Sequence, residues 1–377
     1  MHFGTTILEQ CEALGAISQD AEVLTRTYLT PQHRRAAETI AAWMGAAGLT
    51  AHIDALGNVV GRYAGSTPDA PLLITGSHMD TVVNAGKYDG IFGILTAIAA
   101  VGHLAARGIR RPFAIEVVAF GDEEGVRFGF SMIGSKALAG AFDPGWLDRT
   151  DADGISLATA IARFGGDPAA IPALAHDPRR VLAFVEVHIE QGPVLLDEGL
   201  ALGVVTAIAG ASRVKATVTG LAGHAGTVPM PGRRDALAAA AEMILAIEAY
   251  ARQRATTIVA TVGKINVAGG GAINVIPGDV EFTLDLRSGN DAARSGAVAA
   301  LAAQCRALAA RRDVKLGWSP VFELSAAPCD ARLQAALASS IAAQGITPRR
   351  LPSGAGHDAM EMARLAPVGM LFVRCGH

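Results

Sequence analysis

Residues 72–120 read LLITGSHMDTVVNAGKYDGIFGILTAIAAVGHLAARGIRRPFAIEVVAF, two short apolar runs on either side of a segment with helical spacing. LLITGS (72–77) and AIEVVAF (114–120) lack the apolar–polar alternation of a half-exposed strand, so each reads as a strand covered on both faces. GILTAIAAVGHLAARG (93–108) reads as the helix between them. The stretch therefore predicts an α/β layered domain with a largely parallel sheet. Upstream, the pattern RRAAETIAAWMGAAGL predicts a helix from about Gln32 to Ala47 with Gly48 as its stop, followed by a strand VVGRYAG at 59–65.

Further on the rhythm changes. SRVKATVTG (212–220) and DVEFTLDLRS (279–288) alternate strictly, TTIVATVGKINV (256–267) reads as a strand, and a last short strand is expected near Val314 to Trp318. Helices are expected at 232–253 and over ARSGAVAALAAQCRALAARR. The order β-α-β-β-α-β is that of a ferredoxin-like α+β unit. The run PVGMLFV (367–373) then returns to buried-strand composition. A catalytic domain of residues 1–210 and 326–377, interrupted by a lid or dimerisation domain of 211–325, is the expected organisation.

Composition narrows the function classes. A chain of 377 residues with 51% hydrophobic content supports two cores. A net charge of −3 with no basic stripe argues against nucleic-acid and membrane partners. The N-terminal MHFGTTILEQCEAL has no cationic start followed by an apolar stretch, and the expected location is cytoplasmic. Cys11, Cys305, Cys329 and Cys375 form no Cys-x-x-Cys pair, so they are expected to be buried thiols.

In an open α/β sheet, loops at the carboxyl ends of strands converge in one crevice. Four segments qualify: His78 and Asp80 in GSHMD, Asp89 in KYDG, Asp122, Glu123 and Glu124 in AFGDEEG, and Glu186, His188 and Glu190 in FVEVHIEQG. Any one is weak, since a lone histidine after a strand usually makes an ordinary hydrogen bond and an acidic triplet usually starts a helix. Together they predict a cation, because three consecutive acids after a buried strand repel one another unless one is protonated or a cation lies between them.

Taken with GLAGHAGTVPM, INVIPG, LDLRS and SGAGHDAM, these segments resemble the hydantoinase/carbamoylase family of binuclear metal amidohydrolases, relatives of aminoacylase and carboxypeptidase G. The resemblance spans essentially the whole chain, and its motifs are most similar to the allantoate amidohydrolases. It implies that Asp89 bridges two divalent ions, Mn or Zn, with His78 and His188 on one and Glu124 on the other. It makes Glu123 the general base and Asp80 the residue that orients His78. Substrate contacts are implied for Gln191, His224, Asn274 and Arg287, with Gly354, Ala355 and Gly356 as weaker candidates. His224 stabilises the oxyanion and Arg287 clamps the substrate carboxylate, although a surface ion pair is the ordinary role of such an arginine.

The family's His224, Asn274 and Arg287 serve a neighbouring subunit, so a homodimer is expected. The implied reaction is hydrolysis of the ureido group of allantoate to ureidoglycine, ammonia and carbon dioxide, in purine catabolism. The alternatives are N-carbamoyl-L-amino-acid hydrolase or β-ureidopropionase, and, from another class, an inert ligand-binding homologue.

His357 and Asp358 precede an expected helix and read equally as capping residues. His2, His33, His52, His103 and His176 belong to no motif and are expected on surfaces or helices. Family members continue past the VGMLFVRC strand to a histidine that completes the second metal site. His377 falls several residues too early for that role, and the expectation is a catalytic domain truncated at its C-terminus and one ligand short.

Overall fold

The computed structural model describes residues 3–376, so that His2 and His377 lie outside the described residues. Strands β1 (Thr50–Ile53), β2 (Val59–Tyr63), β3 (Leu72–His78), β4 (Ala114–Phe120), β5 (Val181–Ile189) and β6 (Leu202–Ile208) come first along the chain. They are followed by β7 (Gly210–Thr219), β8 (Gly223–His224), β9 (Val259–Thr261), β10 (Ile265–Val267), β11 (Val275–Ile276), β12 (Asp279–Ser288) and β13 (Lys315–Leu324). The last three are β14 (Ala327–Pro328), β15 (Arg349–Ser353) and β16 (Val368–Val373). Backbone contacts divide the chain into two compact units. One comprises the chain up to Thr206, Cys329–Leu351 and the chain from Gly356; the other comprises Ala207–Pro328 and Pro352–Ala355.

The first unit is α/β. Its sheet runs β1-β2-β4-β3-β5-β16-β6, with β15 beside β6. The central strands β4, β3, β5 and β16 are parallel. The flanks are antiparallel, with β1 on β2, β2 on β4, and β6 on β16. The helix Ile91–Ala106 supplies the long crossover that a parallel β3–β4 pair needs, whereas the short turn between β1 and β2 permits only an antiparallel pair. All seven residues of β4 are buried, Glu116 among them. Ile40, Met44, Ile94, Ile98 and Val117 meet in one core. Each fully buried aliphatic chain of this size contributes roughly 1.5–3 kcal/mol, and Ile94→Ala should cost about 2–5 kcal/mol.

His33 sits on a helix, Pro31–Ala46, and is fully buried there. Its Nδ1 accepts the Leu29 N–H at 3.2 Å, its ring packs on Phe164 and Tyr28, and burial pushes its pKa down to about 3. Cys11, Cys305 and Cys329 are buried, whereas Cys375 is partly exposed.

The second unit is a five-stranded antiparallel sheet ordered β10-β12-β7-β13, with β9 also on β12. Helices Ala236–Arg252 and Asp291–Arg311 pack on the face carrying Val214, Ala216, Val218, Phe282, Leu284 and Leu286. The alternating residues Arg213, Lys215, Glu281 and Asp285 form ion pairs on the other face. The expected single strand 256–267 is divided in two. β9 pairs with Asp285–Arg287 and β10 with Val280–Phe282, and Gly263, which has no side chain to pack, lies in the break. The first helix begins at Ala236 because the Asp235 side chain accepts the N–H groups of Leu237 and Ala238. No helix among the described residues is long and apolar enough to cross a membrane.

Candidate active site

His78 ends β3, His188 is the penultimate residue of β5, and Glu123 and Glu124 follow β4, so three adjacent parallel strands deliver them to the same edge. Asp89 arrives from the loop after β3. His78 Nε2 and His188 Nε2 are 3.4 Å apart, and Asp89 Oδ1 lies 3.5 and 3.3 Å from them. His78 Nδ1 faces the Asp80 carbonyl at 3.1 Å and His188 Nδ1 faces the Ile189 carbonyl at 2.9 Å. A nitrogen facing a carbonyl carries the proton, so in the neutral rings both Nε2 atoms present lone pairs. Asp89 Oδ1 is buried and has no hydrogen-bond partner. Three electron-rich atoms thus converge on one point, an arrangement that protons or a cation must fill.

Two backbone contacts fix that convergence. Gly90 has φ of 63°, and a Cβ there would lie 2.3 Å from the His78 carbonyl and 2.6 Å from its ring. A Cβ on Gly93 would lie 2.0 Å from the Val187 carbonyl, so the helix that follows Asp89 rests directly on β5.

A second set of possible ligands, His78, Glu123 and Glu124, adjoins the first through the shared imidazole. Asp80 organises it: Oδ1 accepts the Glu123 N–H at 3.0 Å and Oδ2 the Glu124 N–H at 3.1 Å. The Asp80 carboxylate is 3.6 Å from His78 Nδ1, farther than its own carbonyl. A third set, Glu186, His188 and His357, is closed by the protein itself. Glu186 Oε1 accepts from Ser77 Oγ at 2.7 Å and Oε2 from the Ala359 N–H at 3.3 Å.

The electrostatics also favour a cation. Burial, reinforced by neighbouring acids, pushes Asp122, Glu123 and Asp358 well above the usual carboxylate range, and burial raises Glu124 and Glu186. Burial works against a charge on His78, but Asp80 and Asp89 outweigh it and hold its pKa well above the usual value. Asp89 is likewise buried, yet His188 and His78 keep it far below its ordinary range. A nitrogen and oxygen donor set without sulfur fits a hard or intermediate divalent ion.

Other expected residues fall in different places. Glu190 is apart from the cluster and accepts the N–H groups of Val194 and Leu195. Gln191, at φ of 55°, donates from Nε2 to Asp89 Oδ2 at 2.7 Å. The capping alternative for Asp358 does not hold. It makes no side-chain cap and instead accepts from Ser135 Oγ at 2.5 Å, fully buried. His357 is buried against the His188 ring, with centroids 4.5 Å apart. The one sequence signal for this pair was a His-Asp step straight after a glycine-rich stretch. A Cβ on Gly356 would be 3.9 Å from Glu123 Oε1.

In the second unit, the short β8–β11 ribbon sets His224 opposite Val275, and the Asn274 carbonyl accepts the Ala225 N–H at 2.8 Å. Arg287 donates from Nε to Asp285 at 2.9 Å and from Nη1 to the Gly354 carbonyl at 2.7 Å. Ala355 N–H is held by Ser353 Oγ at 3.2 Å.

The profile of peptidase family M20/M25/M40 matches residues 74–377. The chain belongs to this family. Within M20, the chain is 44% identical over 372 residues to an N-carbamoyl-L-amino acid amidohydrolase of Geobacillus stearothermophilus, covering 98% of this chain and 90% of that one. It is 41% identical over 396 residues to an allantoate deiminase of Arabidopsis thaliana, covering 96% and 74%. A solved hydantoinase/carbamoylase family amidase from Burkholderia ambifaria superposes with a TM-score of 0.92 at 36% identity, covering 99% of this chain and 90% of that one. This M20 protein is accordingly a hydrolase of C–N bonds, of the amidohydrolase type.

Proposed function

We propose that the chain hydrolyses the ureido group of allantoate, releasing ammonia and carbon dioxide and leaving ureidoglycine. The observation that carries the metal-dependent part of this reading is the convergence of His78 Nε2, His188 Nε2 and Asp89 Oδ1 within 3.5 Å of one another. His78, His188 and Asp89 would hold one divalent ion, and Asp89 with Glu124 a second; Mn and Zn both suit the donors. When bound, such ions polarise a carbonyl and acidify water, which a resonance-stabilised ureido group requires.

The chain's own residues do the rest. Glu123 takes the proton from the attacking water and returns it to the departing nitrogen, and its burial suits a carboxyl that must exchange protons near neutral pH. Asp80 keeps its backbone in place. Gln191, His224 and Asn274 contact the ureido acid and its oxyanion, and Arg287 exchanges its Asp285 and Gly354 partners for the substrate carboxylate. Gly354, Ala355 and Gly356 line the same substrate. The molecule works as a homodimer, with residues of the second unit serving the neighbouring copy.

An N-carbamoyl-L-amino acid is the second reading, favoured by the 44% identity to the Geobacillus amidohydrolase. Purified protein reconstituted with Mn or Zn is assayed for ammonia release on allantoate beside a panel of N-carbamoyl amino acids. Faster turnover of the carbamoyl acids reverses the ranking, and turnover of none sinks the ureido reading.

A further inference from the structure

The segment GHAGTVPMPG, 223–232, has little core of its own: Met230 is 74% exposed and His224 is exposed. Such a glycine-containing loop keeps one shape only if something outside its own side chains holds it. Arg233 does so. Its Nη2 donates to the Ala225 carbonyl and to the Val228 carbonyl, each at 2.7 Å, and its Nε to the Val228 carbonyl at 3.1 Å. Among the described residues no carboxylate pairs with it, and its Nε and Nη2 donors go to loop carbonyls. Two residues later Asp235 caps the helix Ala236–Arg252, which ties the arginine's backbone to a rigid element.

The same loop fixes the His224 ring. Its Nδ1 lies 3.1 Å from the Gly226 N–H and accepts it, so the neutral ring carries its proton on Nε2. The Val228 N–H returns to the His224 carbonyl at 3.2 Å, and Ala225 is pinned to Asn274. We propose that Arg233 is a positioning residue for the reaction: it holds the 224–228 loop so that His224 meets the substrate as a preset Nε2–H donor. This rests on the role given to His224 above. The plain alternative is that Arg233 only stabilises the second unit.

The test is a double-mutant cycle on the full-length, metal-reconstituted protein, with ureido-acid turnover as readout. In Arg233→Ala, kcat should fall by about 10- to 100-fold with KM changed less than about threefold, since a displaced donor costs transition-state contacts rather than ground-state binding. Added guanidinium should restore part of it. His224→Ala with Arg233→Ala should match His224→Ala alone to within about twofold, because the arginine acts through the histidine. Independent, multiplying losses overturn the inference, as does unchanged kcat in Arg233→Ala. Should that variant not fold, Arg233→Lys carries the same comparison, keeping the charge and losing the fork.

Full activity in His224→Ala removes the role on which the inference rests. If no ureido acid is hydrolysed at all, ¹⁵N signals of the His224 ring still decide. One Nε2–H tautomer signal in the wild type that broadens or splits in Arg233→Ala supports the preset loop, and a signal unchanged by the substitution overturns it.

Discussion

Asp80 and Glu123 stand 43 residues apart in the chain, yet Asp80 Oδ1 accepts the Glu123 main-chain N–H at 3.0 Å, while its other oxygen takes Glu124. One carboxylate beyond the end of β3 therefore sets the backbone of both acids beyond β4. Asp80→Asn turns one of those acceptors into a donor aimed at an N–H. Turnover should fall by about 100-fold or more, as expected for a base displaced by an ångström. The unpaired amide should lower stability by about 1–3 kcal/mol in urea denaturation. Wild-type turnover in this variant would show that the clamp is dispensable.

Glu123 is the proposed proton carrier; it stands with His78 and Glu124 in the second set of possible ligands but is given no ligand's role in the proposal. Glu123→Gln should lower kcat by about 10²–10⁴-fold, the usual contribution of a general base. Metal content measured by elemental analysis should stay at the wild-type level. Loss of metal together with activity would instead make Glu123 a ligand.

At Gly90 there is no room for a methyl group, because it would press on His78 at 2.3–2.6 Å. Gly90→Ala should displace the imidazole, and metal affinity should drop by about 10- to 100-fold, the loss typical when a ligand's support is disturbed. Titration with Mn or Zn followed by calorimetry measures it directly.

Asp122, Glu123, Asp358 and His78 are held well above their ordinary ranges and Glu124 and Glu186 are raised, so the cation-free centre keeps protons to higher pH than free side chains would. Cation binding should expel them. Affinity should therefore weaken as pH falls, by about tenfold per pH unit for each proton displaced. Calorimetry in buffers of different ionisation enthalpy counts those protons, and a buffer-independent heat would contradict the picture.

His33 predicts a stability effect away from the centre. An unfolded histidine titrates near 6.5, whereas the buried ring does so at about 3. Above pH 6.5 both states are neutral and the group has no effect. Between 6.5 and about 3 the unfolded chain binds a proton that the folded chain refuses, so the fold loses up to roughly 1.4 kcal/mol per pH unit. The slope of unfolding free energy against pH over this window should be shallower in His33→Asn, by denaturant titration at each pH.

The sequence made the strand-and-helix frame legible where its signal is strong. β3, β4 and β12 follow directly from largely apolar or alternating runs, and the proposed ligands come from acids and histidines placed after such runs. Less was legible where contacts join distant residues. Nothing local to His357 and Asp358 indicates that they lie buried against His188 and Ser135, partners far away in the chain. The break in 256–267 depends on pairing with β12 at two separate places, which a single strand's periodicity does not encode. Similarly, the family resemblance implied Gln191 as a substrate contact but not that its amide reaches Asp89.

The close seating of Gly90 on His78 and of Gly93 on β5 bears on how this scaffold can change over time. Spacing set by main chain against main chain leaves no side chain whose trimming could be compensated by a neighbour's growth. Random mutagenesis should find these two sites barren and the positions proposed to contact substrate fertile. Altered specificity would then arise by changing what surrounds the substrate, while the donor geometry passes unchanged from one variant to the next.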